Sequence, residues 1–128
     1  MRLWAILFGA LIVPILVGAD TGHLGFIGWL YDFPYGDKVG HFLVFGCMSL
    51  LANLAVFEAR SVGERSRLAL KTSIVLAVFI GLEETAQRWF PTRTPSVWDF
   101  AASCLGVIFF AWIALRIDAH KRGLHRAR

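Results

Sequence analysis

The sequence is poor in charge, in cysteine and in proline, and each shortage closes off a class of protein. Charged residues make up 17% of the 128, against about 25% in an average soluble domain. Hydrophobic residues reach 57%, and mean hydropathy is +0.62. So apolar a composition excludes a disordered chain, and 128 residues could not bury this much apolar surface in a soluble core. The two cysteines, Cys47 and Cys104, stand inside apolar runs with no C-x-x-C spacing. That excludes a disulfide framework and a cysteine metal site, and leaves them as small packing residues. Four prolines, no internal repeat and no low-complexity stretch exclude a proline-rich linker or a repeat array. Length alone gives one domain.

What is present is apolar residues in blocks, at L3–G18, V39–F57, L68–L82 and V97–I117. Crossing a bilayer core of ~30 Å takes about 20 residues. The second and fourth blocks fit directly, and the third fits once Glu83, Glu84 and Gln87 are counted as helical. The first is short. Arg2, the apolar core and V-G-A at 17–19 also resemble a signal peptide, but an uncleaved helix packs naturally with three others. The expectation is an all-α, polytopic membrane protein: one domain over 1–128, a four-helix transmembrane bundle with helices at about 3–18, 39–57, 68–88 and 97–117.

Basic residues orient it. Segment 58–71 carries Arg60, Arg65, Arg67 and Lys71; the tail carries Arg116, Lys121, Arg122, Arg126 and Arg128; Arg2 joins them. The other two connections hold only Lys38, Arg88 and Arg93. The positive-inside rule then places both termini and the 58–71 loop in the cytoplasm of an inner (plasma) membrane protein. The basic tail suits anionic lipid better than nucleic acid, and no nucleic-acid partner is expected.

The remaining charges share a level. His41 lies 17 residues from Glu58, and Asp99 lies 17 from Arg116, each roughly 25 Å along its helix. Gln87, counted from Lys71, comes to about 24 Å, with Glu83 and Glu84 at about 18–20 Å. Asp37 and His41 share a helix face, as do Glu83 and Gln87; Asp99, Ser103 and Gly106 form one small, polar stripe. Pairing of Glu84 with Arg88 or Lys38, and of Asp99 with Arg93, would explain one or two of these charges. Gathering so many at one depth is a functional-site expectation. The aromatic stretch 20–37 reads as an interfacial loop beside them.

These residues carry a resemblance. D-K-V-G-H-F (37–42), E-E-T-A-Q (83–87), P-T-R-T-P-S-V-W-D (91–99) and Asp99, Ser103 and Gly106, in that order, resemble the signature of the VanZ-like family, named after a teicoplanin-resistance protein. Ser103 replaces the asparagine usual in that pattern. The resemblance implies a small polytopic membrane protein linked to the cell envelope and glycopeptide tolerance, with no settled chemistry.

Two function classes follow. In the first, the site binds or remodels an envelope lipid or lipid-linked precursor: Lys38, Arg88 and Arg93 hold phosphate, while Asp37, Glu83, Gln87 and Ser103 complete the pocket. In the second, His41, Glu84 and Asp99 act as acid and base in a membrane-embedded hydrolase or transferase. No serine nucleophile motif supports the second reading. No cofactor motif is present; a divalent metal on His41, Glu83, Glu84 and Asp99 is the weaker variant, because one histidine is thin. Transport ranks last, because the inner halves of the blocks are almost wholly apolar.

Overall fold

Ser96 is the residue at which extended chain turns into the longest helix. Its backbone is extended (φ −132°, ψ 125°), and its side-chain oxygen accepts a hydrogen bond from the Asp99 amide at 3.4 Å. This is an N-cap, with an acidic residue in the first turn where the helix dipole favours it. The computed structural model describes residues 3, 6–10, 36–60, 62–89 and 96–128. Within them the long elements are α1 (Gly36–Ala59), α2 (Arg65–Ala86) and α3 (Val97–Arg126). Short 3₁₀ turns, Val62–Glu64 and Gln87–Trp89, flank α2, and residues 6–10 are helical. No strand occurs among the described residues. The rest of the expected first helix, the aromatic stretch 20–35 and Arg93 lie outside them.

Contacts between the helices define their directions. Lys38 meets Asp99, and His41 meets Ser103, near the starts of α1 and α3. Leu54 and Phe57 meet Ala114 near the other end. These two helices therefore run parallel. Helix α2 returns between their levels, with Glu84 beside Ser96 at one end and Arg65 beside Asp118 at the other. Helix α3 continues through Arg126, past the Ile117 at which the apolar block stops, because the tail remains rich in good helix formers.

Among the described helices α1 and α3 share the most extensive contact, and Gly106 is a reason. A Cβ there would run into the backbone carbonyl of Phe42. Gly46 likewise lies against the ring of Phe110. Small residues at such crossings let backbones approach, which is how helices associate where lipid removes the usual hydrophobic drive. Two apolar clusters fill the interior: Phe45, Met48, Leu76, Ile80 and Val107, then Leu54, Phe57, Ala69 and Ala114. Between them Ser49 donates to the Val107 carbonyl at 2.8 Å, and Asn53 donates to the Ser49 carbonyl at 2.8 Å.

The outer faces are apolar too. Leu70, Ile74, Val78 and Leu82 of α2 are exposed, as are Leu105, Ile108 and Trp112 of α3. Among the described residues, two helices are long and apolar enough to cross a membrane, Lys38–Ala59 and Val97–Arg126. Only 39% and 28% of their most apolar stretches are buried in the chain itself. The core helix of a soluble protein would be mostly buried, so this exposure is compatible with a lipid-facing surface.

Candidate functional site

The site starts from Asp99, which the Ser96 cap fixes in the first turn of α3. Asp99 is 8% exposed. Its Oδ1 accepts from Lys38 Nζ at 3.3 Å, and its Oδ2 stands 3.9 Å from His41 Nε2. One turn along α3, Ser103 is fully buried and donates its hydroxyl proton to the Asp99 carbonyl at 2.9 Å. Ser103 Oγ also lies 3.2 Å from His41 Nδ1.

The imidazole is bracketed by α3: Nδ1 meets the Ser103 hydroxyl, and Nε2 faces the Asp99 carboxylate. The ring is held flat by Phe45, stacked with a centroid separation of 6.0 Å and an interplanar angle of 22°. His41 is thus oriented from both sides by α3, and from below by the core.

Glu84 is built in from α2. It is 8% exposed, and its Oε1 accepts the Ser96 backbone N–H at 2.7 Å. Ser96 therefore joins the two acids: its amide holds Glu84 while its hydroxyl caps Asp99. Glu84 Oε2 is buried without a hydrogen-bond partner among the described residues. Beside Glu84 lies a cavity of ≈ 280 Å³, bordered by Thr85, Arg88, Ser96 and Phe100. An acid with one satisfied and one open oxygen can accept a proton or a donor group there.

Of the residues expected from sequence, the structure brings together Lys38, His41, Asp99 and Ser103, with Glu84 linked through Ser96. Arg88 is exposed at the cavity rim, and Glu83 is half-buried on α2. Asp37 lies on α1 and Gln87 in the turn after α2, but their side chains are outside the described residues, as is all of Arg93. Ser96 was not among the expected site residues. Its signal was available: S-V-W-D places a serine three residues before an acid, the spacing of a helix cap.

Asp99 is engaged by Lys38 and His41, and the Glu84 bond is to a backbone amide. The paired-charge alternative had joined Glu84 to Arg88 or Lys38. Among the described residues no group of three or more His, Cys, Asp or Glu could hold a metal ion.

A second charged layer closes the opposite end. Arg65 Nε lies 3.4 Å from Asp118 Oδ2, which also accepts from Arg122 Nε at 2.9 Å, and the Arg65 guanidinium stacks 5.2 Å over Phe57. Asp99 and Asp118 are 19 residues apart on α3, about 28 Å, close to the ~30 Å of a hydrocarbon core. Comparison with family models, with curated proteins and with solved structures finds no match to this chain.

Proposed function

We propose that this chain is a VanZ-like, multi-pass inner-membrane protein whose outward-facing polar site binds or remodels an envelope lipid or a lipid-linked headgroup, with a role in glycopeptide tolerance. In this reading four helices span the membrane with both termini cytoplasmic, and the Asp99 layer lies toward the outer face. The Arg65–Asp118 layer, next to the basic loop and tail, marks the inner face.

The observation that carries the reading is Asp99, buried between Lys38 and His41 near the close α1–α3 approach at Gly106. An ionisable cluster at such a place is costly unless it serves a ligand, because apolar packing would hold the helices as well or better. Lys38 and Arg88 supply cations for a phosphate. Glu84 Oε2, His41 and Ser103 supply acceptors and a relay for the hydroxyl or amine groups of the same headgroup.

One observation favours a second reading, an enzyme. His41 stands between a carboxylate and a hydroxyl, Nε2 3.9 Å from Asp99 and Nδ1 3.2 Å from Ser103, a histidine oriented by an acid as general acid–base catalysis uses. A hydrolase or transferase acting on a lipid headgroup fits that geometry.

Mass spectrometry of the purified protein incubated with membrane lipid, wild type against His41→Ala and Glu84→Gln, tests both. Selective retention by wild type alone supports binding. Conversion of a lipid by wild type alone supports the enzyme. The absence of both retention and conversion would leave the cluster as helix-pairing charge, and the proposal would fall.

A further inference from the structure

A second cavity, of ≈ 570 Å³, lies between the C-terminal half of α1 and the N-terminal half of α2, with Phe8 of the helical stretch 6–10 also on its wall, away from the Asp99 layer. Its floor is Ala52, Ala55 and Ala59, which fall on one face of α1 and leave a trough where larger side chains would fill the space. Leu68, Val75 and Leu76 of α2 form the facing wall. Arg60 and Lys71 line the same cavity and are both exposed. Neither is matched to a carboxylate among the described residues.

From Ala52 to Arg60 the trough runs eight residues, about 12 Å, most of the ~15 Å of one hydrocarbon leaflet. An apolar trough of that length with two unmatched cations at the Arg65–Asp118 end has the chemistry of an anionic phospholipid: acyl chain along the alanines, phosphate between Arg60 and Lys71. A peptide strand is a poor occupant, because its backbone polar groups would have no partners there.

We infer that this groove is an anionic-phospholipid site, separate from the Asp99 layer and sharing with the proposed function only the membrane setting. The lipid bound here bridges α1 and α2 near the basic segment that joins them. Basic pockets between helices recognise anionic headgroups in this way.

The test is native mass spectrometry of the full chain in detergent, titrated with phosphatidylglycerol or with phosphatidylcholine of the same acyl chains. Wild type should retain phosphatidylglycerol in preference. Arg60→Gln/Lys71→Gln should lower its affinity roughly tenfold or more, toward that of phosphatidylcholine. Arg60→Lys/Lys71→Arg should keep the preference, which shows that the charge and not a folding defect is read. Ala55→Phe, which fills the trough with both cations intact, should lose retention while keeping its helical circular dichroism. Asp99→Asn, at the opposite end, should leave this retention unchanged; loss of the proposed outer site therefore does not count against the groove. Equal retention of the two lipids by wild type would overturn the inference. So would undiminished phosphatidylglycerol binding by Ala55→Phe, since the cations would then attract lipid without the groove.

Discussion

Gly106 carries no side chain because the backbone carbonyl of Phe42 occupies the space where one would begin. That contact sets the spacing of α1 and α3, and it lies one turn from the place where Ser103 reaches His41. The site and the crossing are thus one construction: the same approach that forbids a side chain at 106 brings Lys38 and His41 within reach of Asp99.

Gly106→Ala should therefore push the helices apart. A loss of about 1–3 kcal/mol is expected from overpacking against backbone, which cannot swing aside as a side chain can. Gly123→Ala on the same helix meets nothing within 4 Å and should stabilise by about 0.5–1 kcal/mol through helix propensity. Unfolding titrations of the two variants in detergent check the order; equal effects would mean that the crossing at Gly106 is not close.

The Arg65–Asp118 layer should behave as a half-buried ion pair. Asp118→Leu alone leaves the Arg65 guanidinium, with its side chain 12% exposed, without its carboxylate. It should cost on the order of 3 kcal/mol, and Arg65→Met/Asp118→Leu should recover most of that loss. A double-mutant cycle measured by chemical unfolding gives the coupling; additive losses would show that the pair contributes nothing.

In the middle of the bundle, Ser49 and Asn53 should differ although both are fully buried. Ser49→Ala removes the bond to the Val107 carbonyl and should cost about 0.5–1.5 kcal/mol. Asn53→Leu removes an oxygen with no hydrogen-bond partner among the described residues together with an Nδ2 donor whose bonds run to Ser49, one turn back on its own helix, so the two effects should offset to within about 1 kcal/mol. Thermal unfolding of the two variants decides; a large loss for Asn53→Leu would mean that its Nδ2 bonds to Ser49 outweigh the cost of the unpartnered oxygen.

Much of the candidate site was legible because helices convert residue counts into heights. His41 and Asp99 sit the same distance from the basic ends of their blocks, and in the structure they are 3.9 Å apart. Ser103 was legible from its four-residue spacing to Asp99. The partners of the charges were not. Glu84 bonds to an amide twelve residues ahead, and side-chain pairing rules say nothing about backbone donors. Arg65 read only as a topology charge and Asp118 carried no reading, because their meeting depends on the antiparallel register of α2 against α3, which no local spacing encodes. The helix bounds differed mainly at the C-terminus of α3, where hydropathy ends but helix propensity does not.

The most direct test of the central claim replaces the buried pair at the site by apolar residues of similar size, Lys38→Met/Asp99→Leu, and measures lipid retention and thermal stability together. If the pair exists for a ligand, the variant inserts, melts no lower than wild type, since a buried ion pair is readily replaced by packing, and retains no selected lipid. A variant that melts well below wild type yet retains the same lipid would contradict the claim and make the Lys38–Asp99 pair a device for holding α1 to α3.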